Sequence, residues 1–318
     1  MRSGPAAGHD GLLHEAAFYG SDDEFLAVVV PFLRAGVAAG EPTVSLFGPH
    51  NQRLVRSAFG PGSGVEFIDG GRHYQRPAAA IRRHREMLAH YVGAGAAQIR
   101  IAGDVPHPGV GVPWEWWARY ESAVNEVYDE FPMYGLCPYD TRTAPPEILA
   151  DVQRTHTHMV GADGHRRPSG MYQPPRQFLT TGVTSWPEPL QASAPAVELL
   201  DPTPAQGRGA AAALEATAAL SADEFEGLVV AVSEAVTNAV RHGRAPVRLR
   251  GWARPGRAVV TVTDAGPGPV NPVAGLMPDR EPGGLGLWLM HQLCAYVSLQ
   301  RGPEGFTVRL VAEDSPAA

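Results

Sequence analysis

The chain has 318 residues, room for two domains of ordinary size, and its 44% apolar and 19% charged residues with 36 Gly and 30 Pro exclude collagen, coiled coil and wholesale disorder. Net charge is -7, with 13 Arg against 18 acids in 1–160 and 10 against 14 in 181–318, so neither half is a basic nucleic-acid footprint. All 26 basic residues are arginine; a Walker A loop, a eukaryotic-type protein kinase and a Schiff-base enzyme each need a lysine and are excluded with it.

The opening MRSGPAAGHDG has neither the basic start nor the apolar run of a secretory signal. No stretch approaches the roughly 18 consecutive apolar residues of a membrane helix, so a cytoplasmic protein is expected. Cys137 and Cys294 fall in different halves, which leaves no disulfide framework. In chain order, short apolar strands are predicted at 43–47, 65–68 and 98–101, alternating with helices over 22–39, 77–93 and 114–130. That alternation implies an α/β domain, 1–160, with a parallel sheet covered on both faces. Residues 161–190, opening on a run of Gly and Pro, read as a linker. Domain 191–318 comes next, with a strand at 197–200, helices at 204–218 and 222–241, and strands at 247–253 and 258–264 joined by a hairpin. A helix over 284–295 and strands at 296–301 and 305–312 complete an α+β arrangement, helices on one face of a mixed or antiparallel sheet.

Within the helix at 222–241, Glu234 and Asn238 stand one turn apart on one face, beside a stripe of Leu228, Val229, Val232, Val236 and Val240. The spacing alone carries little, because Glu121 and Asn125 repeat it on a helix of the other half. The residues after Asn238 distinguish the two pairs: a strand runs into Asp264-Ala-Gly266-Pro-Gly268, and then Gly284-Leu-Gly286 opens a helix. Each element suits magnesium-nucleotide binding. Asn238 offers a carboxamide oxygen to an octahedral magnesium shell, and Glu234 is placed to orient or deprotonate an attacking hydroxyl. Asp264 supplies a fixed acceptor for an adenine amino group. Gly266 and Gly268 let backbone approach the base. The glycine-rich helix start gives phosphates free amides and a positive dipole end without any lysine.

These residues resemble the GHKL ATPases of the Bergerat fold, and among them the small anti-sigma-factor serine kinases of the RsbW type. Residues 233–243 look like the N box, 264–268 like the G1 box and 284–287 like the G2 box. The resemblance implies ATP and Mg2+ as cofactors, Asn238 as magnesium ligand, Glu234 as base, Asp264 as adenine reader and a supporting threonine in the last strand, matched by Thr307. Only 15 residues separate Gly268 from Gly284, a short lid. The N-terminal half resembles MEDS-type sensory domains, which are fused to such kinases in RsbA-like anti-sigma regulators. His14, 21–25, Pro31-Phe32, Trp117, Tyr120, Glu121, Asn125, 137–140 and Thr155-His156 carry that likeness. It implies a RecA-like core without a Walker A loop, sensing an unknown small molecule.

His14, Cys137, Tyr139, Asp140, His156 and His158 are of the ligand types that metals and haem take, but the His-x-His spacing has no second paired motif. A buried polar network lining a sensory pocket is the favoured reading. Trp114, Trp116 and Trp117 cannot share one helix face, so at least one is expected to meet solvent or a partner. His242 reads as a cap at its helix C-terminus. The resulting expectation is an anti-sigma regulator whose C-terminal domain holds an alternative sigma factor and phosphorylates a STAS-type antagonist, with a homodimer possible. The alternatives are a non-catalytic, nucleotide-gated binding module and the catalytic half of a sensor histidine kinase. The last is disfavoured because 161–203 is too rich in Pro and Gly for a helical dimerisation hairpin.

Overall fold

The structure is a computed structural model that describes residues 2–74, 76–106, 114–161, 163–181, 187–271, 273–276 and 285–314. The chain divides into two compact units, Met1–Thr184 and Ser185–Ala318. In the first, the elements are β1 (Leu13–Tyr19), α1 (Asp22–Ala38), β2 (Thr43–Phe47), α2 (Pro49–Phe59), β3 (Glu66–Asp69), α3 (Gly70–His73), α4 (Pro77–Gly93), β4 (Ile99–Gly103), α5 (Trp114–Val127), β5 (Met133–Asp140), α6 (Pro146–Thr155), β6 (His158–Val160), β7 (Arg166–Pro168) and α7 (Pro175–Thr181). Among the described residues they form a seven-stranded sheet in the order β3-β2-β4-β5-β1-β6-β7. Every pairing is parallel except β6 with β7.

Parallel strands need crossovers, and the helices supply them. Helix α1 starts where Ser21 accepts the Glu24 amide, with Asp22, Asp23 and Glu24 in the first turn facing the positive dipole end. It packs on α2 and the sheet, while α5 lies among α4, α6 and α7. That enclosure explains why the expectation for the tryptophans fails: Trp114, Trp116 and Trp117 are all buried. Neighbouring helices cover α5 from several directions, so side chains on different faces all find protein. The segment read as a linker contains β7 and α7, and α7 buries Phe178, whose ring Arg154 covers.

The second unit comprises β8 (Val197–Leu200), α8 (Pro204–Ala212), α9 (Glu215–Ala218), α10 (Ala222–His242), β9 (Arg248–Arg254), β10 (Arg257–Asp264), α11 (Leu285–Leu293), β11 (Tyr296–Gly302) and β12 (Gly305–Glu313). Among the described residues its five-stranded sheet runs β11-β12-β10-β9-β8, antiparallel throughout. Helix α10 crosses that sheet with α8 and α11 beside it. Its buried face is Leu228, Ala231, Val232, Ala235, Val236 and Ala239, against Val260, Val262, Val308 and Leu310. This stripe is rotated from the predicted one: Val240 is exposed and Val229 only partly buried. Alanine and a larger aliphatic side chain alternate along this face. Each valine it buries contributes about 1.5–3 kcal/mol. The first unit is thus an α/β domain with a RecA-like, mostly parallel sheet, and the second a two-layer α+β sandwich of the Bergerat kind.

Candidate functional site

In the second unit, α10, β10, β12 and the start of α11 line a cleft of about 370 Å³. Two chemistries line it. Val262, Leu287, Phe306 and Val308 make an apolar wall, and Asn238, His242 and Asp264 supply polar groups. The strand pleat decides this sorting. Val262 and Asp264 lie two apart on β10, and Phe306 and Val308 two apart on β12, so all four project from the same face of the sheet.

Asp264 is 6% exposed, which leaves its carboxylate dependent on protein donors. Its Oδ1 accepts the amide of Gly266 at 2.6 Å and that of Arg244 at 3.1 Å. The side chain therefore fastens the turn after β10 to the chain leaving α10, and among the described residues no donor reaches Oδ2. The glycines around it are spatial requirements. A Cβ on Gly243 would sit 2.3 Å from Asp264 Oδ1, and one on Gly266 2.6 Å from the same atom. Gly268 adopts φ +71°, and a Cβ there would run into the Phe306 ring. Gly243 closes α10 by donating its amide to Ala239, with φ -86°, so its need is for room rather than left-handed backbone.

Asn238 lines the cleft. Glu234, one turn earlier, lies against the start of α11, where a Cβ on Gly286 would come within 2.8 Å of Glu234 Oε2 and 3.3 Å of Asn238 Nδ2. The fold thus brings Glu234, Asn238 and Gly286 together, and Asn238 with Asp264, Gly268 and, through Asp264, Gly266. Gly284 lies outside the described residues. Thr307 is not brought to the cleft. Period-2 alternation puts it on the opposite face of β12 from Phe306, where its hydroxyl meets that of Thr263 at 2.9 Å. Sequence reasoning missed Phe306 and His242 as lining residues. Phe306 sits directly after Gly305, and the strand alternation carried one residue further would have pointed to it.

The first unit holds a second polar concentration, buried between β1, α5, β5 and the end of α6. His14, Glu121 and His156 are 3%, 0% and 0% exposed, and Cys137 stands beside them. Tyr139 donates to Glu121 Oε1 at 2.9 Å. Burial pushes the Cys137 thiol well up, with Glu121 adding to the effect, and pushes the His156 imidazole down to about 3. The polar network predicted from sequence is present, but its membership differs. Asp140 pairs with Arg142 at the surface, and His158 hydrogen-bonds to Thr157 outside the cluster. Its centre is Glu121, a residue whose spacing to Asn125 gave no functional signal in the sequence. The adjoining cavity of about 20 Å³, lined by His14, Tyr74, His84, Glu121 and Cys137 among others, has room for about one water.

Residues 13–157 match the family model MEDS, described as the MEthanogen/methylotroph, DcmR Sensory domain. Residues 200–312 match the model of the histidine kinase-like ATPase domain. No curated protein matches the chain. Among the described residues no helix is long and apolar enough to cross a membrane.

Proposed function

We propose that this chain, an N-terminal MEDS domain fused to a C-terminal GHKL-type histidine kinase-like ATPase domain, is a cytoplasmic anti-sigma regulator. Its C-terminal domain would bind Mg-ATP, hold an alternative sigma factor and phosphorylate a serine or threonine of a STAS-type antagonist. One observation carries the reading: an amide and a carboxylate, Asn238 and Asp264, stand in one cleft with an apolar wall.

The residues present fit the nucleotide. Val262, Phe306, Val308 and Leu287 offer apolar surface to the faces of a base, and Asp264 Oδ2 offers an acceptor for its amino group. Asn238 would hold the magnesium ion through its carboxamide oxygen. When bound, Mg-ATP supplies the electrophilic phosphoryl group and neutralises the charge that develops on it. The chain's own part is to position and to take a proton. Gly243, Gly266 and Gly268 keep the backbone close around Asp264 and Phe306, and Glu234 would accept the hydroxyl proton of the antagonist.

A second reading, a nucleotide-gated binding module without catalysis, is favoured by one detail. Glu234 faces Gly286 and is not among the described residues lining the cleft. Incubation with radiolabelled ATP and a purified STAS-type antagonist separates the two. Label on the antagonist, lost in Glu234→Ala while ATP binding is kept, supports the kinase; binding without any transfer supports the gated module.

A further inference from the structure

The buried cluster of the first unit has a proton arrangement that the polar-network reading does not explain. Asn125 fixes the first part. Its Nδ2 donates to the carbonyls of Glu121, Ser122 and Thr155 at 3.0, 3.1 and 2.8 Å, which leaves Oδ1 as the atom facing His14 Nδ1 at 3.2 Å. An amide oxygen only accepts, so His14 carries a proton on Nδ1, and as a neutral imidazole it presents an Nε2 lone pair. His156 is fixed in the same way: its Nδ1 lies 2.9 Å from the carbonyl of Val152 and must donate to it. Both Nε2 lone pairs then face one carboxylate oxygen, Glu121 Oε2, at 3.3 Å from His14 and 3.4 Å from His156. Neither Glu121 Oε2 nor His156 Nε2 makes a hydrogen bond.

Three electron-pair donors thus converge with Cys137 Sγ, which lies 3.4 Å from His14 Nε2, and all four atoms are within 4.8 Å of one another. The thiol carries one proton, too few to satisfy three buried acceptors, and such groups are costly when left unpaired. Three of the separations, His14–Glu121, His156–Glu121 and His14–Cys137, are those of a coordination shell. Bonds of about 2.0–2.1 Å to nitrogen and oxygen and 2.3 Å to sulfur set tetrahedral edges of about 3.3 Å for N–O and 3.6 Å for N–S. The supports are those of ligands as well: the Asn125 amide oxygen and the Val152 carbonyl orient the imidazoles, and the Tyr139 hydroxyl holds the other carboxylate oxygen.

We propose that His14, Glu121, Cys137 and His156 bind one divalent transition-metal ion of the zinc class. Imidazole and thiolate select such an ion over magnesium or calcium. Binding forms one metal–sulfur, two metal–nitrogen and one metal–oxygen bond and releases the thiol proton to solvent. The ion would tie the central strands β1 and β5 to α5 and to the residue ending α6, so its presence sets how these elements pack in the sensory domain.

The test uses the purified full chain, stripped with a chelator and titrated with Co2+ as the spectroscopic probe, then with Zn2+. One equivalent of Co2+ is expected, with visible d–d bands, a near-ultraviolet thiolate-to-cobalt band, and displacement by Zn2+. Cys294→Ala should keep the thiolate band and Cys137→Ser should lose it. Tyr139→Phe, which removes a supporting hydrogen bond but no ligand, should weaken binding about 10–100-fold. A folded wild-type chain that takes up no cobalt with thiolate character overturns the assignment, and so does an undiminished band in Cys137→Ser. The wild-type arm needs no variant to fold.

Discussion

Replacing Asp264 separates the turn-anchoring job of its carboxylate from the adenine-reading job proposed for it. Oδ1 holds two backbone amides, those of Gly266 and Arg244, in a place that is 6% exposed. Asp264→Ala strands both donors, at about 1–3 kcal/mol each, so a loss of roughly 2–6 kcal/mol in stability is expected. Asp264→Asn keeps an oxygen for the two amides and gives up only the charge assistance, roughly 1 kcal/mol and a few degrees in Tm. It puts an amide donor, however, where an adenine amino group needs an acceptor. A hydrogen bond to a charged group contributes about 1.5–3 kcal/mol, so the Kd for Mg-ATP should rise about 10–150-fold. Isothermal titration with Mg-ATP, alongside thermal melts, reads both quantities on the same samples. If Asp264→Asn melts near wild type and binds Mg-ATP within twofold of it, the carboxylate is a turn anchor alone and the assignment of adenine to this end of the cleft is wrong.

Thr307→Val should leave nucleotide affinity within twofold, because the side chain is on the far face of β12. Its cost is the Thr263 contact, about 1 kcal/mol or less, readable in a urea titration. Gly286→Ala drives a methyl to 2.8 Å from Glu234 Oε2 and 3.3 Å from Asn238; overpacking of about 1–3 kcal/mol should weaken Mg-ATP binding by about tenfold or more, as measured calorimetrically. Acid should unfold the first unit early. His73 and His84 are buried side by side, and burial, with Arg83 nearby, lowers His73 to about 4, while burial and the adjacent His73 hold His84 well below the ordinary imidazole range. Both stay neutral in the folded chain while the unfolded chain takes up protons below about pH 6.5. Their contribution is therefore present above that pH and is lost as pH falls towards 4, at about 1.4 kcal/mol per pH unit for each. Urea midpoints at pH 7.5, 5.5 and 4.5 that coincide would count against it.

The second unit was largely legible in its sequence because its signals are local. The α10 periodicity, the hairpin after β9, the Gly266-Pro-Gly268 turn and the alternation along β10 and β12 are each signalled within a few residues, and the residues proposed for the nucleotide site come in order along the chain. Thr307 entered through the family resemblance, whereas the alternation along β12 turns Phe306 to the cleft. In the first unit the sequence marked the apolar strands β2, β3 and β4 but passed over β1 and β5, which lie side by side in the sheet. Those strands carry His14 and Glu15 at buried positions and Cys137 at a half-buried one, which breaks the apolar run by which a strand is recognised. The ligand set at positions 14, 121, 137 and 156 has no spacing to read, since β1, α5, β5 and α6 meet only after the parallel crossovers are made. Local periodicity and turn chemistry are written in the chain. Which lone pairs end up sharing one buried point is decided by strand order and helix packing, because only the folded backbone brings residues more than a hundred positions apart within 4 Å of each other.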